Sequence, residues 1–422
     1  MQDVTSCWST GVFAGVDLEQ LAQREGTPLY VYSAPAIRSR MRALQEALQG
    51  LDAGIRYAVK ANGTLAVLQL LAEQGAGADI VSAGELQRAL RAGIAACDMV
   101  FSGVGKTDAE IDRALAAGVG RFNLESRAEL DAIQRIAAAR GCIATASVRI
   151  NPDVDAQTHA KISTGKAENK FGVAISEARA WFDAHTAWPN VQLDGLHMHI
   201  GSQLLSLAPV AEAVQRMAAF WQQLVAAGHS IASLDVGGGL GVRYREGEHA
   251  PAAQDYADIL RTAFAGFEGR ILVEPGRWLV AEAGVLLSRV VLVKQGEARR
   301  FLVLDAAMND LLRPSLYEAW HDIVRIGGDA GRESLAYDVV GPVCETGDTF
   351  AVDRILPRCA AGELVALLGA GAYAASMGST YNSRPLPAEV LVDGGRYALV
   401  RRRQTFDAMI ADEQPASVWN SP

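Results

Sequence analysis

The sequence predicts an α/β protein: a (β/α)8 TIM-type barrel followed by a C-terminal mostly-β domain. Three observations carry that expectation. Eight short apolar runs alternate with amphipathic helical patterns. Several of those helical patterns end in Gly, as helix C-termini do. After about residue 280 the texture changes to strand-like runs separated by turns.

Taken in order, TPLYVYS (27–33) precedes the barrel pattern and reads as a strand that adds to the second domain. IRSRMRALQEALQG reads as a helix before the first barrel strand. The barrel strands are IRYAVKA (55–61), ADIVS (78–82), DMVFSG (98–103), RFNLES (121–126), ASVRINP (146–152), DGLHMHIGS (194–202), SLDVGGG (233–239) and ILVEPGR (271–277). Seven helical patterns separate them, among them LAVLQLLAEQG, DAEIDRALAAG and PVAEAVQRMAAFWQQLVAAG. The count matches a barrel, although the alternation alone also fits a doubly wound open sheet. LLSRVVLV, RRFLVLDA, YDVVGPV, ELVALLGAGAY and EVLVDGGRYALVRRR then read as strands of the second domain. The expected division is a barrel over 34–280 and a β domain over 281–422, joined by the N-terminal segment 1–33.

Composition narrows the function classes. Half of the 422 residues are apolar, which excludes a disordered chain. The net charge of -9 leaves no broad basic footprint, so neither nucleic acid nor an anionic membrane is an expected partner. The opening MQDVTSCWSTGVF carries Asp3 and no basic-then-apolar signal pattern. The run GVLLSRVVLVK is too short to span a bilayer and is interrupted by Arg289. Five irregularly spaced cysteines argue against a disulfide framework and a zinc cluster. The expectation is a cytoplasmic protein with no metal site, its cysteines mostly inert in the core.

Function in such a barrel collects at the C-terminal strand ends. Strand one closes on Lys60. An isolated lysine is ordinarily a solvated charge, but here the ammonium would lie at the barrel mouth. Desolvation there would lower its pKa and make the amine a nucleophile for carbonyls. In strand six, His197 and His199 share a face if the strand alternates; the alternative is a satisfied core histidine. Strand seven runs into GGGLG (237–241), whose backbone N–H groups could meet an anion. Strand eight ends in EPGR, where Glu274 and Arg277 fit either an ion pair or another anion site. Together these residues describe one cofactor. A lysine forms an imine with an aldehyde, glycine turns and Ser202 hold a phosphate, and Glu274 keeps a ring nitrogen protonated. That cofactor is pyridoxal 5'-phosphate (PLP).

Ten segments in order resemble the motif series of the diaminopimelate decarboxylases: YAVKAN, DIVSAGEL, NKFGV, GLHMHIGSQ, GGGLGV, EPGR, MNDLLRPSLY, GPVCETGD, GAGAY and STYNSRP. That group sits within the alanine-racemase-like, fold-type III PLP-dependent decarboxylases. The resemblance runs from about residue 27 to about residue 410. It implies that Lys60 carries the cofactor as an imine, that His199 stacks on the ring and that Glu274 binds the ring nitrogen. Gly238, Gly239, Gly276, Ser202 and Tyr373 would hold the phosphate, with Arg277 nearby. Arg277, Arg313, Tyr317 and Tyr373 would contact the substrate, chiefly its distal carboxylate. Cys344 would donate the proton and Glu345 would meet the distal ammonium, both from the second subunit of a homodimer with shared active sites. Asp79 is a candidate for the pyridoxal environment, and His197 for a supporting role. Two departures are small: Thr346 stands where Ser is common, and AGEL at 83–86 replaces GGEL.

The implied reaction is decarboxylation of meso-2,6-diaminopimelate to L-lysine and carbon dioxide, the last step of lysine biosynthesis. The thiol of Cys344 suits a proton donor near neutral pH; its bland alternative is a small buried hydrophobe. Two other functions are open. One is decarboxylation of ornithine, arginine or carboxynorspermidine on the same scaffold, which RPSLY with GPVCE disfavours. The other is a non-catalytic PLP-binding regulator, which would be expected to have lost Lys60 or Cys344.

Overall fold

A computed structural model describes residues 10–155, 170–329, 331–416 and 419. Cys7 and Asn169 of the NKFGV segment lie outside the described residues. The chain divides into two units. One takes Met1–Ser33, Gly284–Ala370 and Met377–Pro422; the other takes Ala34–Ala283 and Gly371–Ser376.

The first unit opens with a small hairpin, β1 (Val12–Phe13) and β2 (Val16–Asp17). A helix, Leu18–Glu25, follows; the Asp17 carboxylate accepts from the Gln20 N–H at 2.9 Å and caps it. Then comes β3 (Leu29–Ser33), with all five residues buried.

The barrel unit carries eight strands: β4 (Ala53–Ala58), β5 (Gly77–Ile80), β6 (Met99–Phe101), β7 (Arg121–Leu124), β8 (Ala144–Arg149), β9 (Val191–His197), β10 (Ser233–Asp235) and β11 (Arg270–Val273). Each pairs in parallel with the next, and β11 returns to β4, so the sheet closes. Helices such as Leu65–Glu73, Asp108–Ala117 and Ala208–Ala226 make the crossovers. Their starts are encoded locally. Ser82, Thr107 and Ser126 each accept a hydrogen bond from the backbone N–H three residues on, at 3.2, 3.3 and 3.2 Å. Such a cap is worth about 1 kcal/mol. Glu110 also returns a bond to the Thr107 N–H, completing a capping box. In the helix Arg127–Arg140 the buried Leu130, Ile133, Ile136 and Ala137 form one apolar stripe.

The remaining strands belong to the other unit: β12 (Gly284–Gln295), β13 (Arg300–Leu304), β14 (Ile323–Arg325), β15 (Ser334–Val340), β16 (Thr349–Pro357), β17 (Leu364–Leu367), β18 (Ala388–Asp393) and β19 (Arg396–Arg401). The sheet order is β16-β15-β13-β12-β3-β18-β19, and β17 pairs with β12 and β14. Its core includes Leu18, Leu21, Val31, Leu287, Leu364 and Val390.

β3, the TPLYVYS strand, lies between β12, antiparallel to it, and β18, parallel to it. Its apolar run announces burial on both faces. Two sequence expectations need correction. The barrel strands stop earlier than their apolar runs suggest. β4 ends at Ala58, and Lys60 sits in the following 3-10 turn, Val59–Ala61. The cysteines are not mostly buried. Cys359 is, but Cys97 and Cys344 are exposed, and the four described cysteines are free. Among the described residues, no helix is long and apolar enough to cross a membrane.

Candidate active site

The 3-10 turn after β4 lifts Lys60 off the end of the strand. Its Nζ lies 2.5 Å from Oδ2 of Asp79, the third residue of the neighbouring β5. Asp79 is fully buried, and its other oxygen, Oδ1, has no hydrogen-bond partner. Burial alone would lower the lysine pKa, as the sequence suggests. The negative charges of Asp79 and Glu274, with the Asp79 hydrogen bond, outweigh it, and the ammonium is held above its ordinary range. The desolvation argument thus has the wrong net sign, because the sequence does not reveal that Asp79 faces Lys60.

Glu274 follows β11 and is buried. Its Oε1 accepts from Nδ2 of Asn123 at 3.3 Å, and its Oε2 lies 3.3 Å from Nε2 of His197. Burial, reinforced by the charge of Asp79, pushes its carboxyl upward. His197 is the last residue of β9, so strand alternation does not extend to His199, which lies beyond it. The two histidines part company accordingly. Nδ1 of His199 accepts from the Gly238 N–H at 3.1 Å, and His199 lines the pocket. Burial drives its imidazole well below the usual histidine range, so it is neutral with its proton on Nε2.

The phosphate-binding candidates are built on close backbone approaches. A Cβ on Gly238 would stand 2.2 Å from the Glu274 carbonyl oxygen. Gly239 has φ +116, and a Cβ there would meet the Gly201 oxygen at 2.7 Å. Arg277 is buried; it donates to Ser202 Oγ at 3.0 Å and to the Tyr244 hydroxyl at 2.9 Å. Its guanidinium lies 4.7 Å from the Tyr373 ring centroid. Tyr373 is supplied by the Gly371–Ser376 segment, adopts φ 53, and donates its backbone N–H to the Ala61 oxygen at 2.8 Å. A left-handed conformation at a bulky residue is strained, and that backbone bond holds it.

Lys60, His199, Ser202, Gly239, Glu274, Gly276, Arg277 and Tyr373 line one pocket of the barrel unit, with about 320 Å³ of open space. Gly238 and Asp79 adjoin it through His199 and Lys60. The set fits pyridoxal 5'-phosphate. It offers an amine for the aldehyde, a buried carboxylate for the ring nitrogen, and Ser, Arg and Gly N–H donors for the phosphate. The glycines leave no room for side chains where the backbone crowds, and Asp79 keeps an unpaired buried oxygen beside the amine.

Four further candidates lie in the other unit. Arg313 opens the short helix Arg313–Tyr317 and is buried; its Nη1 lies 2.8 Å from Nε2 of His321. His321 Nδ1 lies 2.7 Å from the Leu368 carbonyl oxygen, so Nδ1 carries the proton and Nε2 accepts from the arginine. Tyr317 ends the same helix. Cys344 and Glu345 are exposed. The Cys344 N–H donates to Oδ1 of Asn382 at 3.0 Å, and the Tyr381 hydroxyl donates to Glu345, which raises the tyrosine's pKa. The exposure of Cys344 rules out its reading as a buried hydrophobe.

Sequence reasoning missed Asn123, Asp235, His321 and Asn382. A signal existed for two of them: Asn123 and Asp235 are polar residues beside the apolar Phe122, Leu124 and Leu234 of short barrel strands.

Residues 35–281 match the family model described as "Pyridoxal-dependent decarboxylase, pyridoxal binding domain". The chain is 50% identical to a diaminopimelate decarboxylase of Pseudomonas aeruginosa over 401 residues, covering 94% of this chain and 95% of that protein. It is 45% identical to the diaminopimelate decarboxylase of Zymomonas mobilis over 403 residues, with 94% and 95% covered. The crystal structure of the Helicobacter pylori diaminopimelate decarboxylase complexed with L-lysine superposes with a TM-score of 0.90 at 43% identity, covering 93% of this chain and 98% of that one. A lysine/ornithine decarboxylase from Vibrio vulnificus shares the fold, with a TM-score of 0.78 at 23% identity over 89% of this chain and 97% of that one.

Proposed function

The chain belongs to the pyridoxal-dependent decarboxylases, and from that premise we propose that it converts meso-2,6-diaminopimelate to L-lysine and carbon dioxide. It is a PLP-dependent carboxy-lyase. The observation that carries the reading is the gathering of Lys60, Glu274, Ser202 and Arg277 around one pocket. The 44–50% identity to diaminopimelate decarboxylases narrows the substrate.

When bound, pyridoxal 5'-phosphate supplies an electron-accepting ring for the charge left at the substrate α carbon. Lys60 anchors the cofactor through its amine, and Asp79 sets how readily that amine loses its proton. Glu274 would hold the ring nitrogen, and neutral His199 would meet the ring. Ser202, Gly238, Gly239, Gly276 and Tyr373 hold the phosphate with Arg277. Arg277, Arg313, Tyr317 and Tyr373 hold the substrate. A guanidinium can fork onto the distal carboxylate through two parallel bonds, which a lysine ammonium cannot do. The carboxylate released comes from the reacting α carbon, so the product keeps the distal one; the contact discriminates against amino acids that have no distal carboxylate, such as L-ornithine.

The protein works as a homodimer in the cytoplasm, with Cys344 and Glu345 of the partner subunit entering each site. Cys344 of the partner subunit donates the proton to the α carbon, and Glu345 of the partner subunit pairs with the distal ammonium. The exposure of both residues suits such a role.

The test is an assay of the PLP-loaded protein for lysine and carbon dioxide. It is run with meso-diaminopimelate beside L-ornithine, L-arginine, L-lysine and carboxynorspermidine. Lysine formed from diaminopimelate alone is expected. Carbon dioxide released only from another substrate would overturn the carboxylate contact, and no turnover on any substrate would favour a regulator. Sedimentation of the loaded protein checks the dimer.

A further inference from the structure

Beneath the pocket, three polar side chains converge on Glu274 from the barrel strands. They are Asn123 of β7, His197 of β9 and Asp235 of β10, none more than 1% exposed. The imidazole and the two carboxylates bring their polar atoms within 4.8 Å of one another. Such polar groups cost stability in an apolar interior, and their arrangement calls for a use.

A buried carboxylate drifts towards its neutral form. A neutral Glu274 would lose the charge that keeps a ring nitrogen protonated. Beside the bond from Asp235, a donor on each oxygen opposes that drift. The Asn123 amide reaches Oε1 at 3.3 Å and is oriented by a second bond, to Ser102 Oγ at 3.0 Å. His197 Nε2 reaches Oε2 at 3.3 Å. Burial lowers the His197 pKa to about 4, so the ring is neutral and carries one proton. Its Nδ1 has no hydrogen-bond partner, which leaves Nε2 as the donor to the carboxylate. Asp235 accepts from the Gly237 N–H at 2.9 Å. Burial and then the charge of Glu274 raise its pKa well above the ordinary range, and its side chain also bonds Glu274, which favours the charged form of the glutamate.

We infer that His197 and Asn123 are positioning residues for the decarboxylation, whose bonds to the two oxygens of Glu274 keep it ionised as the counter-charge of the cofactor's ring nitrogen. The inference rests on the reading that Glu274 meets that nitrogen.

The holoenzyme is reconstituted with PLP labelled with 15N in the ring, and the nitrogen's chemical shift is followed through neutral pH. His197→Gln places an amide nitrogen near the position of Nε2, whereas His197→Asn is too short to do so. The expected result is a ring nitrogen that turns neutral in His197→Asn and Asn123→Leu and stays protonated in His197→Gln. In the first two, kcat should fall about tenfold or more, with KM within about twofold. A nitrogen that stays protonated in both would overturn the inference. Glu274→Gln separates the two layers. If it leaves the nitrogen protonated, the reading of Glu274 itself fails; if it neutralises the nitrogen while the others do not, only this inference fails. Should His197→Asn not retain the cofactor, infrared difference spectra of the cofactor-free protein, with Glu274→Gln as reference, give the answer. A Glu274 carboxylic-acid band that grows in His197→Asn supports the inference, and an unchanged carboxylate band overturns it.

Discussion

Lys60 Nζ and Asp79 Oδ2 lie 2.5 Å apart at the mouth of the barrel, on a turn and a strand that are neighbours in space. The pair holds the lysine as an ammonium, whereas adding to an aldehyde requires the free amine. Asp79→Asn should therefore move the pH profile for covalent capture of PLP to lower pH, by about 1–3 units. Lys60→Ala should capture none and lose turnover by on the order of 10³-fold or more. Stopped-flow absorbance of cofactor-free protein mixed with PLP checks both. A profile unchanged in Asp79→Asn would show that Asp79 does not govern the lysine.

Arg313 directs one guanidinium nitrogen to a neutral histidine acceptor, so that contact does not cancel its charge. Arg313→Ala should raise KM for diaminopimelate about 10–100-fold, equivalent to about 1.4–2.8 kcal/mol. Selectivity against substrates without a distal carboxylate should relax in parallel. Steady-state kinetics on the two substrate types measure it, and an unaltered KM would place the carboxylate contact elsewhere.

Cys344 should act on the rate rather than on binding. Cys344→Ala should lower kcat about 10²–10⁴-fold, the range for losing a general acid, while KM changes little. Equal losses in kcat and in substrate binding would assign the residue a structural role.

Glu85 adds a pH dependence to stability. It caps Val81 through a 2.8 Å bond to the backbone N–H, and burial, with the nearby Asp79, lifts its carboxyl to about 7 from an ordinary 4.5. The folded protein thus binds a proton there that the unfolded chain has already released. Stability from this group is full below about 4.5 and declines as pH rises to about 7. The difference reaches about 3 kcal/mol above that. Glu85→Gln should raise Tm at alkaline pH and change it little in acid. Thermal melts at the two extremes decide it, and a Tm gain independent of pH would contradict the assignment.

The barrel was legible because its signals are local. Ser82, Thr107 and Ser126 mark helix starts, and Leu130, Ile133 and Ile136 mark a buried stripe. Motif residues such as Lys60, Glu274 and Arg277 stand near strand ends, where a barrel places its chemistry. What the sequence concealed depends on partners distant along the chain. TPLYVYS carries no mark of β12 and β18 as its neighbours. Nothing near Lys60 announces that Asp79 would reverse the effect of burial. β16 carries a weak strand signal because its exposed Asp353 and its Arg354 interrupt the apolar pattern of a half-buried strand. His321 and Asn382 matter only through single hydrogen bonds made in the folded chain.

The central place of β3 has a consequence for biosynthesis. The ribosome makes this strand before the barrel, yet both of its neighbours, β12 and β18, are made after it. During translation Leu29–Ser33, all five residues of which are buried in the finished fold, emerges with two unsatisfied edges, a template for the wrong pairing. The barrel strands between can close first, but this sheet is completed only once β18 has emerged. A nascent chain stalled before that point keeps the edge open, so a stretch made after the barrel determines whether a strand made before it finds its place.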